Sequence, residues 1–186
     1  MKSQNGLSLV ELTVVIMILV IVAVVAIPHL ASTDPHRIEL AAKQVAGAIR
    51  FARSESIRTG EVHGVAVDYN QSDAAGKEIT VYKADLAQSP FAVDSIAYHP
   101  VDKQPYDRMI TETYLTRGIG FLNTAHVFDI QGQGRKAHLH FTAQGVPVYF
   151  VAGKPYRLIN GTIRIGDSTF EKVVTVAPLV GRVKVQ

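Results

Sequence analysis

Several groups of residues in this 186-residue chain have types and spacings that could do chemistry. Glu11 is the only charge between residues 7 and 27, a stretch otherwise almost wholly apolar. A carboxylate in such surroundings needs a cationic partner, because leaving it unpaired in lipid costs roughly 2–3 kcal/mol or more. Gly6 stands just before that stretch, and a glycine lets a protease close on the backbone with no side chain in the way. His138 and His140, the sharpest pair among seven histidines, lie two apart. On a strand they share a face and could chelate zinc or copper if His126 or an acid joined them. The alternating Ala137, Leu139 and Phe141 point to a core, which puts the histidines on the wet face. Two ligands with credible spacing do not make a metal site, so neither metal nor cofactor is expected.

The basic residues are concentrated at one end. Residues 154–186 hold Lys154, Arg157, Arg164, Lys172, Arg182 and Lys184 against Asp167 and Glu171, within a chain of net charge +3. In a final strand Arg182, Lys184 and Gln186 share one face while Val183 and Val185 take the other. Cations there can neutralise phosphates, or guard an edge strand against unwanted pairing. Zero cysteines exclude a disulfide scaffold, a thiolate zinc site, a cysteine nucleophile and an iron–sulfur cluster. There is no G-x-S-x-G, no H-E-x-x-H and no Walker lysine, and Gly118-Ile119-Gly120 and Gly132-Gln133-Gly134 are followed by no helix signal. No catalytic residue is nominated, and an enzyme is not expected.

The elements that must position these residues begin with the apolar run. Of residues 12–27 only Thr13 is polar. Counted from Leu7, the run would make a helix of roughly 31 Å, enough for a bilayer core of about 30 Å. The flanking charges are Lys2 before it and Arg37 after it, and Lys2 on the short side argues that the N-terminus stays cytoplasmic and the rest is exported. A signal peptide cut after Ala26, leaving Ile27 first, and a plain membrane anchor both account for the length. Neither has a use for Glu11.

Gly6-Leu7-Ser8-Leu9-Val10-Glu11-Leu12 and the run that follows resemble the type IV prepilin signature. The resemblance implies cleavage after Gly6 by a prepilin peptidase that also N-methylates the new first residue, Leu7. Glu11 becomes the fifth residue of the mature chain and pairs with the α-amino group of its own or a neighbouring subunit. Leu7 stands where the family favours Phe, and Asn5 before the glycine is not the usual choice.

Pro28 follows the run and should kink or briefly break the helix. Asp34-Pro35 reads as a restart, an N-cap followed by proline in the first turn. Up to a terminator at Gly60, Ile38, Ala41, Ala42, Val45, Ile49, Ala52 and Ile57 recur at helical spacing. Arg37, Lys43, Arg50, Arg53 and Arg58 lie between them and read as a solvated face. Residues 41–60, with Ala52-Arg53-Ser54-Glu55-Ser56-Ile57-Arg58 at their centre, are similar to the helix opening the globular domain of GspH/FimT-like proteins. These are minor pseudopilins of type II secretion and minor pilins of type IV pili.

After Gly60 the period becomes two, through Val65–Tyr69, Ile79 and Val81, residues 137–141, Val146 to Phe150, and Val173 to Ala177. Asn160-Gly161 between two such runs predicts a hairpin. Residues 85–112, with Pro90, Pro100 and Pro105 among Phe91, Tyr98 and Tyr106, read as a long irregular excursion suited to partner contacts.

The fold class is α+β and pilin-like: a long hydrophobic N-terminal helix continues into an amphipathic helix packed on antiparallel sheet. Residues 1–6 form the leader, 7–30 the transmembrane and assembly helix, and 31–186 a periplasmic domain with helix 34–59 and β region 61–186. The resemblance implies a minor pilin or pseudopilin of the inner membrane that primes assembly or occupies a tip. Its partners are other pilins, the prepilin peptidase/methyltransferase and the membrane. Gly181-Arg182-Val183-Lys184 is also similar to the G-R-x-R tail of minor pilins that bind DNA during uptake, which makes DNA a further partner through Arg182, Lys184 and Arg164. An exported β domain of unrelated function is the third reading.

Overall fold

The computed structural model describes residues 9–31, 34–67, 78–88, 91–101, 103–109, 119–122, 127–166 and 169–186. It divides into two compact units, Met1–Pro35 and His36–Gln186.

The first unit contains α1, Leu9–Ala31, a helix of 23 residues. Its side chains are described from 9 to 21, and every one of them is exposed. Apolar residues occupy all sides, so the helix has no face that a folded core could select. The one hydroxyl, Thr13 Oγ1, is satisfied internally by the carbonyls of Leu9 and Val10, both at 2.9 Å. Pro28 lies inside α1, and the helix runs on to Ala31 rather than ending at the proline. Among the described residues no helix is long and apolar enough to cross a membrane.

The second unit is built on α2, Asp34–Thr59. Ile38, Ala41, Ala42, Val45, Ile49 and Ala52 are buried, as are Ala46 and Ala48. So many alanines give the helix a smooth face that lies close to a sheet. Ile57 departs from the pattern and is half exposed. Gly60 adopts φ +73° and its amide bonds the Ser56 carbonyl at 3.0 Å, closing the helix in the left-handed way glycine permits.

Among the described residues twelve strands follow: β1 His63–Val67, β2 Glu78–Asp85, β3 Ala92–Ile96, β4 Asp107–Met109, β5 Gly120–Phe121, β6 Phe128–Ile130, β7 Gly134–Lys136, β8 His138–Phe141, β9 Pro147–Val151, β10 Lys154–Gly166, β11 Glu171–Val176 and β12 Val183–Val185. They pair antiparallel in the order β12-β11-β10-β9-β8-β1-β2-β3, with β4 on β2, β5 and β6 on β10, and β7 on β6. The long β10 serves both ends: residues 154–157 pair with β9, and residues 161–166 with β11.

The hairpin predicted at Asn160-Gly161 does not form. Both residues lie within β10, held between β6 on one side and, at Gly161, β11 on the other. Glycine is needed there for close approach: a Cβ would stand 3.1 Å from Val176 Cβ and 3.2 Å from Phe128 Cδ1. The chain turns instead at Ala152-Gly153, where both residues have positive φ (49° and 73°) between the paired Val151 and Lys154. That backbone matches the twist of the flanking strands.

One core fills the space between α2 and the sheet, with Val65, Val67, Ile79, Val81, Leu139 and Phe141 from one end and Phe128, Ile163, Ile165 and Val174 from the other. A smaller cluster around Ala66, Tyr82 and Ala84 forms separately, with Phe91 and Val93 packed on it.

Candidate functional site

Gly6 and Leu7, the residues of the expected cut and methylation, lie outside the described residues. Glu11 is in the first turn of α1, where the helix dipole favours a carboxylate. It is exposed and has no partner among the described residues. Around it Leu9, Val10, Leu12 and residues 14–21 expose half or more of their surface in most cases, from 45% at Val15 to 80% at Leu9. A continuous apolar surface of this kind is a surface for lipid or for other helices.

The Ala52-to-Arg58 run ties α2 to the β strands through side chains that sequence reading assigned to solvent. Arg53 Nε donates to the Gly145 carbonyl at 3.1 Å in the turn between β8 and β9. Arg50 Nη2 donates to the Val183 carbonyl of β12, also at 3.1 Å. Ser56 Oγ, fully buried, donates to Ala52 O at 3.1 Å and accepts from the His63 amide that opens β1 at 3.0 Å. Arg58 pairs with Glu55 at 2.5 Å, and this guanidinium holds the Glu55 carboxyl below its usual range. Arg53 is half-buried in its contact, which the solvated-face reading did not foresee, while Arg50 stays exposed and carries its contact from the solvated face. Their partners are backbone carbonyls distant in sequence, which no local pattern announces.

At the basic end, register places the nominated residues on one surface. Thr162 pairs with Thr175 and Thr175 with Lys184, while Arg164 pairs with Val173. Arg164, Arg182 and Lys184 thus project from the same side and are exposed, whereas Val183 is buried. They are not equivalent. Arg164 Nε donates to Glu171 Oε2 at 2.9 Å, and its Nη2 reaches the same oxygen. Arg182 and Lys184 have no ion-pair partner among the described residues. Gly181 has a local reason of its own: φ is +61°, and a Cβ would stand 3.1 Å from the Gly145 carbonyl and 3.2 Å from Arg53 Cδ.

The histidine pair is not on a wet face. His140 is fully buried and His138 half-buried. Tyr82 Oη lies 3.0 Å from His138 Nδ1 and 3.0 Å from His140 Nε2. Phe91, from the excursion read as irregular, stacks on Tyr82 with ring centres 6.1 Å apart and meets His140 edge-on at 4.4 Å. Gly64 makes room for this cluster, since a Cβ there would stand 2.7 Å from Tyr82 Cζ and 2.8 Å from His140 Cδ2. Burial pushes His138 down to about 4. Burial, and secondarily His138, push His140 down to about 3. His140 Nδ1 has no hydrogen-bond partner among the described residues. Among the described residues no three of His, Cys, Asp and Glu come together as a metal site, and His126 lies outside them.

A cleft of about 770 Å³ opens beside the end of α2, lined by Phe51, Glu55, His63, Lys83, Tyr98 and Lys103 among others. Tyr98, Pro100, Lys103 and Pro105 form its far wall, with Tyr98 bridged to Pro105. The excursion is thus partly regular, containing β3, β4 and this closed turn.

Residues 1–27 match the family model of the prokaryotic N-terminal methylation motif. The similarity is confined to this N-terminal segment. No curated protein matches it. Two crystal forms of the type IV minor pilin FimU from Pseudomonas aeruginosa strain PAO1 are similar in structure, each at 14% identity and TM-score 0.42. The alignments cover 82% and 80% of this chain and 90% and 91% of those chains.

Proposed function

We propose that this chain is a minor pilin or pseudopilin, a structural subunit that primes or caps a type IV pilus or a type II secretion pseudopilus. The observation that carries the reading is the methylation-motif match over residues 1–27, joined to a helix whose described apolar side chains are all left uncovered. In this reading the peptidase cuts after Gly6, Leu7 is N-methylated, and α1 holds the subunit in the inner membrane. The globular unit then faces the periplasm. Moving α1 from lipid into a bundle of equivalent helices changes its apolar surroundings little, so helix packing and the pairing of Glu11 with an α-amino group set the register.

Intact mass and N-terminal sequencing of the protein from its native membrane test the processing. A chain beginning at methylated Leu7 supports the reading; one beginning at Ile27 or an uncut Met1 overturns it. Glu11→Ala should leave membrane retention unchanged and abolish incorporation into filaments, and normal incorporation would refute the pairing.

The second reading, DNA binding at the basic end, is supported by Arg182 and Lys184 sharing an exposed face without a pairing acid among the described residues. Such binding would be sequence-blind and salt-sensitive. Arg182→Ala with Lys184→Ala should lower DNA retention in low salt.

A further inference from the structure

The two ends of the strand order, β12 on one side and β3 with its neighbour β4 on the other, reach α2 on different flanks. Arg50 Nη2 meets the Val183 carbonyl of β12. The next residue, Phe51, stacks on Tyr106 beside β4 with ring centres 5.5 Å apart. Consecutive helical residues point about 100° apart, so the two contacts lie at different places around the helix.

The flanks differ in charge. On the β12 flank α2 contributes Arg50 and Arg53, and the closing segment contributes Arg182 and Lys184. Arg53 lies against Gly181, whose Cβ position is 3.2 Å from Arg53 Cδ, so helix and strand bring these cations to one edge. Arg50 and Arg53 are held by backbone carbonyls, and among the described residues none of the four cations pairs with a carboxylate. On the β2–β4 flank Glu61, Asp94 and Asp107 are exposed and Asp85 is half-buried, with Lys83 and Lys103 among them. Lys83 Nζ is shared between Glu61 at 2.9 Å and Asp94 at 3.6 Å. One ammonium there serves two carboxylates, which leaves negative charge over.

We propose that the basic β12 flank of one copy docks on the acidic β2–β4 flank of a second copy. A twofold contact would set each flank against its own like, whereas a head-to-tail contact sets opposite charges together and leaves one flank of each kind for further copies. Copies therefore join in a row rather than closing as a pair. Exposed ion pairs are individually weak and screened by salt, so the contact needs the copies held close. Confinement of α1 in one membrane supplies that by raising the effective concentration, and in this respect alone the inference rests on the membrane-subunit reading. The row uses the cations that the second reading gives to DNA, so the two uses exclude each other on one chain.

The chain has no cysteine, so single thiols report which flanks meet. Ser95→Cys on β3 and Gln186→Cys beside β12 change no charge, and both positions are exposed. The two full-length chains are reconstituted together in phosphatidylcholine vesicles and treated with a short bismaleimide. The expected result is a mixed 95–186 cross-link in excess of both the 95–95 and 186–186 products, lost when salt is raised. Arg182→Glu with Lys184→Glu in the Gln186→Cys chain should lower the mixed yield at least about threefold. Glu61→Lys with Asp94→Lys in the Ser95→Cys chain should then restore it. Equal yields of the three products, or a mixed yield indifferent to salt, overturn the proposal. A mixed yield unchanged by the Arg182 and Lys184 reversals also overturns it and leaves those cations to nucleic acid. Sedimentation of the vesicles separates the two readings: chains lost from the membrane refute the membrane-subunit reading, whereas retained chains with no preferred cross-link refute this inference alone.

Discussion

The two helices are of similar length, 23 and 26 residues, and they use apolar residues in opposite ways. In α1 the described side chains are apolar on every side and all exposed. In α2 apolar residues recur at helical spacing and are buried against the sheet. A helix with one apolar stripe completes a core within its own chain, while a helix apolar all round needs a surrounding medium that the chain does not supply. Folding information therefore resides in α2, while α1 leaves its described apolar residues uncovered.

Substitutions that enforce or blur this division test it. Val45→Asp places a charge in the core beneath α2 and should destabilise the globular unit by more than about 4 kcal/mol, read as loss of the near-ultraviolet circular dichroism of the full chain in detergent. Acid should weaken the unit next. The folded values of His138 and His140, about 4 and about 3, lie below the unfolded 6.5, so the unfolded chain binds protons first. Stability then falls as pH drops from about 6.5 toward 3, by about 3 kcal/mol for His138 and more for His140 at the limit. A melting temperature unchanged between pH 6.5 and 4 would show that the histidines are not buried.

Arg53→Ala removes the donor to the Gly145 carbonyl and should cost about 1–2 kcal/mol, measured as a shift in the denaturation midpoint with the slope unchanged. Leu12→Ala sharpens the contrast from the other side. It removes an exposed side chain of α1 and should change the stability of the globular unit by less than about 0.5 kcal/mol. A large effect from Leu12→Ala would mean that α1 takes part in folding.

The α+β architecture was legible in the change of period from helical spacing before Gly60 to alternation after it. The N-terminal motif was equally legible, and the family match falls on the same residues. What stayed hidden depends on neighbours distant in the chain. Asn160-Gly161 has the chemistry of a turn, yet pairing with β6 and β11 holds it extended. The alternation of Leu139 and Phe141 assigned His138 and His140 to the opposite face correctly, but it could not reveal that Phe91 covers that face. Arg50 and Arg53 look like solvated cations because their acceptors lie 133 and 92 residues away. Tyr82 carried no signal tying it to histidines 56 and 58 positions later.

The continuity of β10 couples errors as well as structure. A one-residue slip turns every side chain of a strand to the opposite face. β10 pairs with β9 at its start and with β11 at its end, and its register shifts against β6 between Leu158 and Asn160; beyond that shift, a slip against β11 would misplace Ile163 and Ile165 together.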